Sequence, residues 1–163
     1  MSEGPRQILE ERARALARLK GERVALESMV LFTRAGALFA VHASEVLGSG
    51  RLRTLSPAPG APDWLRGAIL HQGEVLTLVD LPAFWNADLP GVVDLRTYVV
   101  LSDGIQRVGL LVEELLGLRE LDEAPHAPEG PTRVGIIQVT RHQGTLAEVL
   151  GARALFDDPR LKA

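Results

Sequence analysis

From Met29 onward the sequence is a succession of short apolar runs, each closed by a turn signal, with no helix-length amphipathic segment between them. That pattern constrains the fold more than any single residue does. Parallel strands joined as βαβ units need a crossover of about a dozen residues or more, usually helical, and nothing here supplies one. Short strands at regular spacing form small barrels or sandwiches instead. The expectation is an all-β chain of about ten strands.

Met29–Thr33 and Ala37–Val41 flank Ala35-Gly36 and read as a hairpin. Ala68–Leu70 and Val75–Val79 flank His71-Gln72-Gly73 and read as another. Thr97–Leu101 and Val108–Val112 flank Asp103-Gly104, a strong hairpin signal, and Val134–Val139 and Thr145–Leu150 flank Gln143-Gly144. Glu45–Leu47, Arg51–Leu55 and Leu115–Leu121 read as further strands, with Gly48-Ser49-Gly50 a bulge or bend between the first two. Ser56–Pro62 carries Pro57, Pro59 and Pro62, which lack the amide a ladder needs, and reads as a loop. Asp80–Trp85 reads as one helical turn, with the Asp80 carboxylate capping its free amides and Pro82 tolerated at its start. Ala152–Phe156 reads as a short closing helix. Ahead of the strands, Leu9, Ala13 and Leu16 mark a helix over 6–20, which Gly21 interrupts. The expected division is an N-terminal helical extension over 1–28, a β domain over 29–156 with subdomains near 29–85 and 95–150, and a tail over 157–163. Met1 and the short tail read as a stand-alone chain.

Composition narrows the function. Hydrophobic residues make up 46% of the 163, enough for a packed core. With 18 basic and 21 acidic residues there is no cationic excess to neutralise phosphates, so nucleic acid is not an expected partner. The chain has no cysteine, which excludes zinc-thiolate sites, disulfides and thiol nucleophiles and fits a reducing cytoplasm. It shows neither a secretory signal nor an apolar run of about 18 residues, so membrane insertion is not expected.

The search for chemistry returns little. His42, His71, His126 and His142 lie outside helical reach of one another, and no carboxylate pattern accompanies them. Gly48-Ser49-Gly50 lacks the third glycine and the helix of a phosphate cradle. Glu113-Glu114 at a strand end face opposite ways and read as surface residues. Trp64 and Trp85 read as packing residues beside proline-containing loops. No catalytic residue, metal or cofactor is expected. The competing reading, a small-ligand pocket or an enzyme inside a β-barrel, needs a convergent polar set that the sequence lacks.

Two stretches carry a family resemblance. Trp64-Leu65-Arg66-Gly67-Ala68-Ile69-Leu70-His71-Gln72-Gly73-Glu74-Val75-Leu76-Thr77-Leu78-Val79-Asp80-Leu81 resembles the signature of CheW-like domains, roughly G-x-x-N-L-R-G-x-V-x-P-V-x-D-L. Arg107-Val108-Gly109-Leu110-Leu111-Val112-Glu113-Glu114-Leu115-Leu116-Gly117 resembles the family's G-L-x-V-D-x-V-x-x-V. The resemblance covers about residues 29–150. It implies two intertwined five-stranded SH3-like β-barrels and no reaction. It also implies a cytoplasmic adaptor that couples the cytoplasmic tips of chemoreceptors to the regulatory domain of a CheA-type histidine kinase, which has the same fold. By the same resemblance, Val46, Gly48, Leu70, Gln72, Gly73 and Gly109 are the expected protein-interaction positions. Val46 is expected on the floor of a receptor groove, and Gly67 and Asp80 are expected as structural members of the motif. Against the family pattern, Gln72 stands for the signature arginine, Leu70 or a neighbour for the asparagine, Thr77 for the proline, and Gly48 for the glutamate that partners the arginine, with Glu45 close by. Loss of both members of that pair points to an accessory or specialised coupling protein, because interface charges mainly set specificity.

Overall fold

The computed structural model describes residues 29–88 and 94–162, together with Arg12 and Arg14. Apart from those two, the expected helix over 6–20 and the extension over 1–28 lie outside the described residues.

Ten strands follow in order: β1 (Met29–Arg34), β2 (Ala37–His42), β3 (Val46–Arg51), β4 (Leu65–His71), β5 (Glu74–Val79), β6 (Thr97–Ser102), β7 (Arg107–Val112), β8 (Glu114–Arg119), β9 (Ile136–His142) and β10 (Thr145–Leu150). Helix α1 (Leu81–Phe84) follows β5, and α2 (Ala152–Phe156) follows β10. Three hairpins turn on residue pairs with both φ angles positive: Ala35-Gly36 (54° and 76°), Gln72-Gly73 (51° and 80°) and Gln143-Gly144 (48° and 79°). Their sense of twist matches that of the flanking strands. The β6–β7 connection is longer than its Asp-Gly pair suggests. Asp103 shapes it by accepting the amides of Ile105 and Gln106 at 2.8 and 2.7 Å.

The strands expected over Glu45–Leu47 and Arg51–Leu55 are one strand, β3, entered by a 3-10 turn at Ala43–Glu45. Gly48-Ser49-Gly50 lies inside it, with the bulge between Val46 and Gly48. The glycines do not break the strand because they make room beneath it. A Cβ on Gly50 would collide with the Tyr98 hydroxyl, and one on Gly48 would lie 3.5 Å from His71 Nε2.

The two five-stranded sheets run β8-β1-β2-β10-β9 and β3-β6-β7-β5-β4. Advancing every strand of the first by five places, cyclically, gives the second. The fold is therefore an internal repeat whose two copies exchange strands. This corrects the division at 29–85 and 95–150. One barrel is the continuous middle of the chain, β3 to β7, and the other joins β1–β2 to β8–β10. Each contains one parallel pairing, β2 with β10 and β5 with β7.

Each barrel has a small apolar core of its own, around Met29, Leu31, Ala147 and Val149 in one and Leu76, Leu78, Tyr98 and Val100 in the other. The largest core lies between the barrels. It gathers Phe32, Phe39, Val99, Leu101, Leu110 and Leu150, and both helices drop Leu81, Phe84, Leu155 and Phe156 into it. Trp64 packs edge-on against Phe84, and Trp85 lies against Phe39 and under the Arg133 guanidinium, so both are packing residues. The segment after α2 is anchored too. Arg160 stacks over the Phe84 ring at 3.7 Å and donates to its carbonyl at 2.8 Å.

One polar cluster crosses between the barrels. Arg34, 3% exposed at the end of β1, donates to both oxygens of Asp80, 1% exposed, at 3.1 Å each, and to Glu113 at 3.1 Å. Glu113 also accepts the Ala35 amide at 2.7 Å. Asp80 does occupy the position before α1, but its side chain makes no capping bond. A two-pronged charge-assisted pair with a buried guanidinium outcompetes a helix amide. Glu113, expected as a surface residue, is the third member of this cluster. Capping alone would make Asp80 worth about 1 kcal/mol. Breaking a buried pair costs about 3–5 kcal/mol. Asp80→Asn is therefore expected to lower stability by about 3 kcal/mol or more, read from the midpoint of urea unfolding. A loss near 1 kcal/mol would return Asp80 to the role of a cap.

Candidate protein-interaction surface

The internal repeat lets each feature be compared with its counterpart. His-Gln-Gly occurs twice, at 71–73 and 142–144, at the tips of β4–β5 and β9–β10. The second tip is tied down. Asp122 accepts the amides of Gln143 and Gly144 at 2.9 and 2.8 Å, and His142 Nδ1 lies 2.7 Å from the Glu120 carbonyl. The first tip is held only from below, where His71 Nδ1 meets the Tyr98 hydroxyl at 2.8 Å. Among the described residues no side chain bonds the Gln72 or Gly73 amide.

Leu70 and Val75 are cross-strand partners on this free hairpin, and each is 73% exposed. At the matching positions β9–β10 carries Arg141 opposite Leu146. Beside the apolar pair runs an open groove of about 580 Å³ between β4–β5 and the segment leaving β3. Its lining includes Leu52, Ile69 and Tyr98, with Arg51 and Arg53 exposed along one side. A smaller groove of about 400 Å³ lies between β3 and β8, lined by Ser49, Gly50, Thr97, Glu114 and Leu115 among others. Strand β3 thus separates two concave surfaces, and its Leu47 is exposed.

The structure sorts the expected interaction positions. Leu70, Gln72 and Gly73 share the exposed tip. Val46 is half-buried and packs against the central core, so it is not an open groove floor; Leu47 beside it faces out. Gly48 lies over the His71 ring, and His71, not Gln72, is its neighbour across the barrel closure. Gly109 is buried, and a Cβ there would collide with Leu78 on the parallel neighbour β5. Its role is close strand approach, and a surface contact is ruled out by its burial. The other barrel solves the same parallel contact with Ala40 against Val149. Gly67 has φ +140°, and a Cβ would meet the Ser56 carbonyl, so the bulge at the start of β4 requires glycine.

Comparison with known proteins decides the family. A family profile described as "CheW-like domain" matches residues 28–160. The chain belongs to the CheW-like domain family. The chemotaxis protein CheW of Bacillus subtilis (strain 168) is 23% identical over 136 residues, covering 80% of this chain and 87% of that protein. The crystal structure of the scaffolding protein TtCheW from Thermoanaerobacter tengcongensis superposes with a TM-score of 0.71 at 17% identity, covering 83% of this chain and 95% of that one. The fold is thus the pair of SH3-like barrels of CheW-like domains. Within the CheW-like signature, Leu65-Arg66-Gly67 meets the L-R-G directly, so the arginine is Arg66, exposed on β4, and Gln72 does not replace it. The glutamate position at Gly48 still lacks its carboxylate. Sequence reasoning passed over Val75, Arg66 and Leu47; the repeated His-Gln-Gly was the available signal that the first hairpin has a counterpart to be compared with.

Two outcomes follow. Gly109→Ala is expected to cost about 1–3 kcal/mol by overpacking, measured by thermal or urea unfolding; an unchanged midpoint would contradict the close approach. The amides of Gln143 and Gly144 hold the Asp122 carboxyl below its usual range. A depressed folded-state pKa adds stability that is present above the unfolded value of about 3.9 and lost as pH falls through the folded value. Between pH 5 and pH 2, melting of Asp122→Asn is expected to depend less steeply on pH than that of the parent chain. Parallel curves would remove Asp122 from the acid response.

Proposed function

We propose that this chain is a non-catalytic cytoplasmic adaptor that couples chemoreceptors to a CheA-type histidine kinase. The observation that carries the reading is the exposed Leu70–Val75 pair on a hairpin whose internal counterpart is tied down and partly charged. Two large apolar side chains side by side in water mark a surface that a partner covers.

The two expected partners differ in shape. The regulatory domain of the kinase has, by family resemblance, the same barrel fold and presents strands and hairpins. The Leu70–Val75 ridge projects, and a projecting strand pair suits that partner. A receptor tip is a helical hairpin and needs a concave bed for its apolar face. The grooves on either side of β3 offer one, with Leu47 and Leu115 at the β3–β8 side. Separate surfaces for separate partners are what coupling requires.

Burying one leucine or valine side chain contributes about 1.5–3 kcal/mol. An aspartate in its place would also be desolvated without a partner. Val75→Asp is therefore expected to weaken binding to the kinase regulatory domain at least tenfold. Because Val75 is exposed, the fold should be unchanged by circular dichroism. A receptor-tip fragment titrated in parallel should bind as before. Unaltered kinase binding would remove the hairpin from the interface, and loss of both partners would show that they share it.

A further inference from the structure

The buried arginine cluster has an internal counterpart that is open. Asp80, between β5 and α1, corresponds to Gly151, between β10 and α2. Arg34, at the end of β1, corresponds to the end of β6, occupied by Ser102 and Asp103. The β7–β8 link that carries Glu113 corresponds to the β2–β3 link, Ala43–Glu45. On one side of the molecule an arginine fills the slot between the barrels. On the other side no cation enters from within, and a groove of about 620 Å³ remains.

That groove keeps the acidic character of its counterpart. Glu45 lines it, half-buried, with one oxygen accepting the Ala152 amide at 2.6 Å. Asp103 and Asp157 line it too, against Arg153 as the only basic lining residue. Among the described residues neither Glu45 nor Asp157 forms an ion pair. Ile137 and Ala154 supply an apolar wall. At the mouth, directly after Gly104, stands Ile105, 92% exposed on the loop that Asp103 holds rigid.

We infer that this groove receives an arginine side chain from a protein partner, its stem along Ile137 and Ala154 and its guanidinium at Glu45 and Asp157, with an apolar neighbour of that arginine covering Ile105. The occupant's chemistry is set by two features. The excess negative charge of the lining favours a cation, and the equivalent slot in this same fold already holds a guanidinium between two carboxylates. Arginine suits such a place because its planar fork matches carboxylates and tolerates burial. A free small cation would leave Ile105 uncovered, whereas a peptide segment would not. This surface lies apart from the β4–β5 hairpin and does not depend on the assignment made for it.

The test uses the full chain, labelled with ¹⁵N, and the capped tripeptide acetyl-Leu-Arg-Leu-amide. Titration is expected to shift the amides of Glu45, Gly104, Ile105 and Gly151 together. The same peptide with citrulline for arginine should bind at least fivefold more weakly. Glu45→Gln keeps an acceptor for the Ala152 amide while removing the charge, and it should weaken the arginine peptide at least threefold. Asp157→Asn, at an exposed position, should act in the same direction and guards against a folding defect in the first variant. Ile105→Ser should weaken the tripeptide but not acetyl-arginine-amide. The inference is overturned if the shifts fall elsewhere, if citrulline binds equally well, or if both charge variants bind as the parent does.

Discussion

The buried Arg34–Asp80–Glu113 cluster is the constraint on which the architecture turns. Arg34 ends the first strand of the barrel made from the chain's two ends. Asp80 sits where the middle barrel gives way to α1, and Glu113 sits where the chain passes from the middle barrel into β8. One guanidinium therefore fixes the point at which the chain crosses between barrels to the strand it must pair with next. Apolar burial in the central core supplies most of the driving force, but burial is not directional. A two-pronged ion pair with a third carboxylate is directional, and it specifies which strands exchange. It is also demanding, because a charge buried without its partners costs several kcal/mol.

Around that cluster the fold is an internal repeat, and function resides where the repeats differ. Where one copy places Asp80 and Arg34, the other has Gly151 and an open groove. Where one copy pins a His-Gln-Gly turn with Asp122, the other leaves it free beneath an apolar pair. Equivalent backbone held at equivalent register carries different side chains, so one scaffold presents several unlike surfaces. That is a natural construction for a protein whose work is to hold partners in fixed relation.

Much of this was legible in the sequence. Turn dipeptides located the hairpins because positive φ angles leave few residue choices. Apolar runs located the strands, and motif order gave the family. The exchange of β3 and β8 was not legible, since a strand's own pattern does not name its partner in the sheet. Gly48-Ser49-Gly50 looked like an interruption because the rings it accommodates, Tyr98 and His71, are distant in sequence. Asp80 looked like a cap because its true partner lies 46 residues away. Gly109 looked like a contact because motif membership does not distinguish a residue that touches a partner from one that lets two strands meet. At the site, Leu70, Gln72 and Gly73 were found and Val75 was passed over. Its exposure depends on which hairpin face points outward, and an apolar run with no clean alternation does not reveal that.

The central claim is that one copy of this chain holds a receptor tip and a kinase at the same time. The most direct measurement is sedimentation of a receptor-tip fragment with the kinase regulatory domain, with and without the chain. The account predicts that the two do not co-sediment alone and form a three-component complex once the chain is added. If the chain binds one partner only by displacing the other, the surfaces are not separate and the coupling account is wrong.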